Sequence, residues 1–342
     1  GGIGIYSNKA EIKSTGPSVM SIGENGTGIY IKDKEANLTD FELNITGDNS
    51  VGIFTDGTAS FTGDGTINIS GNDVIVFNVA GIGNFVQDFK INSSETSSYS
   101  VLNMKNREYY FNSDAALGPN GTFIKGENSA VLFDTNSKLV SPGNNMIGIA
   151  LKGNYYNNLP VNINGEILEH EATNKGLINF ENDSIGIYTI DGASSKNEGE
   201  IILGNNSIGQ YGIGLTTSVV NAGTLNVGAE SVGLYLKDGI NISNLGIIES
   251  TGAKTTGMHL DGNNTTIGEN TGIIRLSGDK SVGVYISSEG SKNFNNSNLI
   301  EIGASDSASD PSIGIFNNNS TGMVNNSANI TSGNNSISIY NN

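Results

Sequence analysis

The chain has 342 residues and carries 17 Lys plus Arg against 34 Asp plus Glu, a net charge of −17. It contains no Cys, which excludes disulfides, thiolate metal sites and Cys nucleophiles. The few basic residues form no cluster, which argues against binding a nucleic-acid backbone, and no apolar run reaches membrane-spanning length.

A short phrase recurs from the first residues onward. Its central Gly is Gly4 in IGIY, Gly28 in TGIY and Gly52 in SVGIF, each step being 24 residues. An Asp-Gly turn follows the third copy at Asp56-Gly57. Beyond Phe77 the rhythm fails, and the next phrase of this type reads Ser129-Ala130-Val131-Leu132-Phe133. The stretch 78–128 between them holds Phe85, Phe89, Tyr99, Arg107, Tyr109, Tyr110 and Phe111, a local excess of aromatic residues. A copy at Gly148 precedes a second irregular stretch, 153–175, with Tyr155, Tyr156 and His170.

From there the repeat is regular. The ruler glycines are Gly186, Gly209, Gly233, Gly257 and Gly283, at steps of 23, 24, 24 and 26, followed by SIGIF at Gly314 and SISIY at Ser338. About ten residues before each phrase stands N-x-G and an alternating run, as in Gly199-Glu200-Ile201-Ile202-Leu203 and Gly223-Thr224-Leu225-Asn226-Val227. Alternation bounded by Gly and Asn predicts a strand with one buried face, and the SIGIY phrase predicts a second. A shorter apolar touch, such as Val219-Val220, predicts a third.

A period of 20 to 50 residues marks a solenoid, whose units cannot bury their apolar faces alone. Three short strands and three turns in about 24 residues predict one coil of an all-β parallel β-helix, stacked into a rod on the order of 60 Å long. Leucine-rich repeats, hexapeptide helices and calcium-binding nonapeptide rolls lack their signatures here. The chain reads as one β-helix, 1–342, with an elaborated insertion at 78–128 and a second irregular loop region at 153–175. Both ends fall inside repeats, which predicts a piece of a longer solenoid without natural caps.

Several residues need a structural and a functional reading together. His259 stands where other copies carry Tyr188, Tyr235 or Tyr285, so it reads as a repeat position. Asp191, Asp238 and Asp261 read as solvated turns or as a loose acidic line. His170, between Glu169 and Glu171, has no Ser-centred partner phrase. An aromatic column of Tyr6, Tyr30, Phe54, Phe77, Phe133, Tyr188, Tyr211, Tyr235, Tyr285, Phe316 and Tyr340 reads as a ladder between coils or as a stacking platform for sugars. Strict alternation turns it outward, whereas a strand bend tucks it in. No residue is assigned a catalytic role, and neither metal nor cofactor is expected.

The copies NEGEIILGNNSIGQY, NAGTLNVGAESVGLYLKDG and NTGIIRLSGDKSVGVYIS resemble the passenger repeats of type V autotransporters, particularly the large fusobacterial outer-membrane adhesins. The resemblance covers the chain apart from roughly 78–128 and 153–175. It implies a right-handed, monomeric β-helix, displayed at the cell surface by a C-terminal translocator barrel or released as an extracellular passenger. It also implies attachment to bacteria or host cells through protein or glycan receptors. No binding residue is fixed by the shared motif. The interruptions supply the candidates: Phe85, Phe89, Tyr99, Arg107, Tyr109, Tyr110, Phe111, Tyr155 and Tyr156. A β-helical polysaccharide lyase or hydrolase, and a stalk without recognition of its own, are the alternatives.

Overall fold

The structure is a computed structural model and describes all residues except 15, 156–159, 288–289 and 319–320. The described residues form strands and turns without helix, wound into a β-solenoid. Every coil contributes one strand to a continuous fourteen-stranded parallel sheet that runs from Ile3–Asn8 to Ser336–Asn341. Inward positions stack in register along it: Ile187, Gln210, Leu234, Met258 and Val284 follow one another and are fully buried. Columns of this kind fill the narrow interior, so each coil completes the core of its neighbour.

The ruler glycine has a steric cause. A Cβ on Gly209 would lie 2.6 Å from the Gly233 carbonyl oxygen, and one on Gly257 would lie 2.5 Å from that of Gly283. The Ser that opens the phrase is equally specific. Its buried hydroxyl accepts the backbone N–H of the matching residue one coil earlier, Ser184 to Ser207 at 3.1 Å and Ser207 to Ser231 at 3.0 Å. These bonds satisfy turn amides that lie outside the sheet ladders.

From Glu108 onward each coil adds two more short strands, which build two further nine-stranded parallel sheets. The N-x-G signature forms the corner between them. Asn174, Asn197, Asn221, Asn244, Asn270 and Asn296 are buried, and each amide donates to the next side-chain carbonyl at 2.7–2.9 Å. Each of the first three also donates to the carbonyl of the Gly two residues on, at 3.2 Å. That Gly lies so close to its counterpart in the preceding coil that a Cβ on Gly223 would meet the Gly199 oxygen at 2.0 Å. Before Glu108 the second and third strands are fused into single long ones, Glu35–Ile45, Ser60–Ile69 and Phe85–Ser93. The first two of these are kinked where the register slips between Leu38 and Phe41. Three short strands per coil therefore describe the first coil, where Ile12–Lys13 and Ser18–Ile22 stay separate, and the coils from Glu108 onward.

The stretch 78–128 is not an insertion. It contains two regular strands of the long sheet, Tyr99–Lys105 and Gly121–Glu127, which pair in register between Val74–Val79 and Ile147–Lys152. The ruler residue there is Val76, Val101 or Phe123, all buried, so the phrase loses its Gly while the coil persists. Ser129-Ala130-Val131-Leu132-Phe133, which resembles a copy of that phrase, belongs to the second sheet instead, where Phe111 and Phe133 precede Asn174 in the corner column.

Between Ile147–Lys152 and Ala172–Asn174 the chain adds an antiparallel hairpin, Val161–Ile163 with Glu166–Leu168. Asn164 and Gly165 both adopt positive φ, 52° and 83°, the geometry of a two-residue hairpin turn. Val161, Ile163 and Leu168 bury themselves with Ala130 and Leu132, flanked by Tyr110 and Tyr155. Lys175 pairs with Glu166 of the hairpin and with Glu198 of the next coil at 3.2 Å, tying the insert to the rod.

Candidate functional site

The sequence-derived candidates are mostly core residues. Phe85 and Phe89 pack on Phe61 and Phe77, with ring centroids 5.2–6.3 Å apart. Tyr99 is buried and its hydroxyl donates to the Gly118 carbonyl at 2.7 Å, and burial pushes its pKa to about 12. Burial also raises Tyr109 and holds the Arg107 guanidinium below its ordinary value. Arg107 donates to the carbonyls of Gly81 at 2.7 Å and Gly83 at 3.3 Å, bridging the turn of an earlier coil. Phe111 is buried against Phe123 and Phe133. Tyr110 donates to Asp134 at 2.6 Å and, like Tyr155, packs beside the hairpin. Tyr156 lies outside the described residues. Among the described residues, Phe85, Phe89, Tyr99, Tyr109 and Phe111 join the rod's main core, and Tyr110 and Tyr155 flank the smaller cluster under the hairpin. Aromatic excess marked interior filling in coils that lack the ruler Gly.

The aromatic column does reach the surface, with a different membership. In register it reads Tyr6, Tyr30, Phe54, Asn78, Asn103, Lys125, Ala150, Tyr188, Tyr211, Tyr235, His259, Tyr285, Phe316 and Tyr340. Phe77 belongs to the adjoining inward column and is fully buried, and Phe133 lies in another sheet. The rings half-cover one another on the outer face, at centroid separations of 4.7–5.3 Å. His259 stands edge-on to Tyr235 and Tyr285 at 4.7 Å, and burial lowers its pKa. Its place is that of a ladder ring. Asp261 ends its strand and accepts the Tyr235 hydroxyl at 2.5 Å, whereas Asp191 and Asp238 sit one residue further on in left-handed turns. The three aspartates thus form no single line.

The column lapses over four consecutive coils, at Asn78, Asn103, Lys125 and Ala150. Losing large rings from a flat sheet leaves a trough. A depression of about 360 Å³ opens there, floored by the strand backbone at Met104, Gly126 and Leu151, whose side chains turn into the core, with Ala150, Ile190 and Tyr188 as its apolar wall. Lys105, Lys125 and Lys152 line it against one carboxylate, Glu127. Lys105 pairs with Glu127 at 2.9 Å and Lys152 with Asp191 at 3.7 Å. Among the described residues Lys125, in the middle, has no salt-bridge partner. A second depression of about 320 Å³ lies over the beginnings of the same strands, lined by Ser100, Asn120 and Thr122 with Asp73 at its rim. Asn103 and Lys125 border both, so the two form one trough along the strand direction. A concave recess with an apolar, aromatic wall and a few convergent polar groups has the usual makings of a ligand site. The sequence signal for this place was the replacement of aromatic residues in YSVLNMK and GTFIKGE, visible only once the register is known.

His170 closes the hairpin's other side. Burial lowers its pKa to about 4, helped by Lys196, and its buried Nδ1 has no hydrogen-bond partner among the described residues. Glu171 is buried beside it, with one oxygen accepting from the Ser194 N–H at 2.8 Å and hydroxyl at 2.6 Å. Among the described residues no group of three or more His, Asp or Glu is placed to hold a metal. Comparison with protein-family models, curated proteins and solved structures finds no match for the chain.

Proposed function

We propose that this chain is the recognition-bearing rod of a surface adhesin, in keeping with its resemblance to type V autotransporter passengers. In this reading it is displayed from an outer membrane and attaches to protein or glycan receptors on bacteria or host cells. The observation that carries the proposal is the trough in the fourteen-stranded sheet. A spacer has no use for a break in an otherwise continuous outer ladder, while a binding rod uses the break to expose polar groups beside an aromatic wall. Stacked coils hold these groups on strands, so the site is pre-shaped and costs little ordering on binding.

The test fills the trough without touching the core. Ala150→Tyr extends the ring column by one coil from Tyr188, at a half-buried outer position. Purified rod is expected to adhere to target cells, and the variant to adhere at a small fraction of that level with an unchanged circular dichroism spectrum. Full adhesion by the variant removes the trough from the argument. Deleting 85–111 is not a useful test, because it excises core strands.

A further inference from the structure

The trough is locally basic on an acidic chain. The chain carries −17 overall, yet three lysines face one glutamate in the depression beside Tyr188. Two of those lysines are partly neutralised by Glu127 and Asp191, which leaves Lys125 as the cation free to meet a ligand. Asn78 and Asn103 stand in the same outer column on the neighbouring coils, offering amide donors and acceptors at steps of about 4.8 Å. Lys125 and Tyr188 are two strands apart, a span of about 10 Å. The floor between them is the strand backbone at Met104, Gly126 and Leu151.

From this we infer that the trough binds an acidic glycan, a chain of sugar rings bearing carboxylates. A carboxylate meets Lys125, ring hydroxyls bond to Asn103 and Asn78, and an adjacent ring lies over Ala150 against Tyr188. Each part of the trough answers one part of that ligand. A neutral glycan leaves Lys125 unanswered, and a nucleic acid meets a net repulsive chain with one unpaired lysine in place of a basic track. A linear polymer also fits the shape, since the second depression continues past Asn103 and Lys125 along the strands. The acidic residues Asp73 and Glu127 lie at opposite ends of this path, so they confine the carboxylate to the middle. This inference rests on the reading of the trough as a recognition site and adds the class of ligand.

The experiment is a binding titration of the whole chain with polygalacturonate and with hyaluronan, against dextran as a neutral polymer, run beside the cell-adhesion assay. Both acidic polymers are expected to bind, with dextran at background, and added salt is expected to weaken binding because it screens the contact. Lys125→Glu is expected to weaken binding by about tenfold or more, the loss of a charge-assisted hydrogen bond. Lys125→Arg keeps most of it, and Ala150→Tyr abolishes it. Lys237→Glu, on the same sheet away from the trough, is expected to change nothing. Equal binding of dextran and the acidic polymers, insensitive to salt and to Lys125→Glu, overturns the acidic class and leaves the recognition reading standing. Binding to no glycan, with adhesion still lost in Ala150→Tyr, overturns the glycan and makes the trough a protein-docking face. Loss of neither glycan binding nor adhesion in Ala150→Tyr removes both readings.

Discussion

Two stretches of the same long sheet behave differently. From Ile185 to Asn317 each coil repeats the Gly ruler, the buried Ser or Thr and the outer ring, and from Asn174 the corner is an asparagine ladder. From Val74 to Lys152 the strands keep the same pairing and have no ring outside; the first three use Val76, Val101 and Phe123 at the ruler before Gly148 restores it, and Phe111 and Phe133 occupy the corner. Backbone register survives a complete change of side-chain code. What the coil needs is a filled interior and paired turn amides, and more than one set of residues supplies them. The outer face of the second stretch is thereby released from ladder duty.

Substitutions can break this contrast. The largest effect is expected from Gly257→Leu, whose Cβ alone would approach the Gly283 carbonyl at 2.5 Å. Overpacking against backbone should cost about 3 kcal/mol or more, seen as a lowered urea midpoint; the same exchange at Val101, which already has a side chain, should cost well under half as much. Asn221→Leu should rank next. It leaves the Asn197 amide with only the Gly199 and Thr224 carbonyls and takes the Asn221 donor from the Asn244 side-chain carbonyl in the interior, a loss of about 1–3 kcal/mol. If urea unfolding of Asn221→Leu matches the parent, the ladder contributes specificity and not stability.

Acid should act on the insert between the two stretches. The His170 imidazole takes up a proton near pH 6.5 when unfolded but only near 4 in the fold. The unfolded state therefore binds more protons in that window, and stability falls as pH drops from 6.5 toward 4, by up to about 3 kcal/mol. Glu198, held below its ordinary range by Lys196 and Lys175, loses its pairing in the same direction at lower pH. Melting curves of the protein and of His170→Phe should run closest at neutral pH and separate as pH falls toward 4, with the parent losing stability that the variant keeps; parallel curves would falsify the assignment. The smallest effect is expected for Ala150→Tyr on stability, within about 1 kcal/mol, since Tyr188 in the next coil provides a ring to stack on.

The sequence made the regular stretch readable because Gly, Ser, Asn and Tyr each recur for a steric or hydrogen-bonding reason. His259 reads as a repeat position on that basis, and so do Asp191 and Asp238, whereas Asp261 stands one residue earlier in its coil. The other stretch was misread where its code differs. Without the ruler Gly, Tyr99–Lys105 and Gly121–Glu127 did not register as coils, and Ala130–Phe133 was mistaken for one. Their aromatic residues looked like a recognition loop because composition does not say which side of a strand a ring occupies. The hairpin did carry a local signal in Asn164-Gly165 between aliphatic residues, which passed unused. The trough was illegible for a further reason. It is made by residues that are missing from a column, and the column is defined only by the pairing of coils.

The asparagine corner also has a direction. Every side-chain amide from Asn174 to Asn296 points its N–H toward the following coil, and Asn326 ends the series by donating to its own Ala328 carbonyl at 2.9 Å. At the other end the Asn174 side-chain carbonyl oxygen has no hydrogen-bond partner among the described residues, because the preceding residue in the column is Phe133. Amide dipoles aligned head to tail polarise one another, so the series is an electrical vector along the rod with a bare negative pole inside it. Growth from the two ends is then not equivalent. A coil arriving beyond an exposed amide gains a partner at once, whereas one arriving before Asn174 meets a phenylalanine, and the rod has a preferred direction in which to wind.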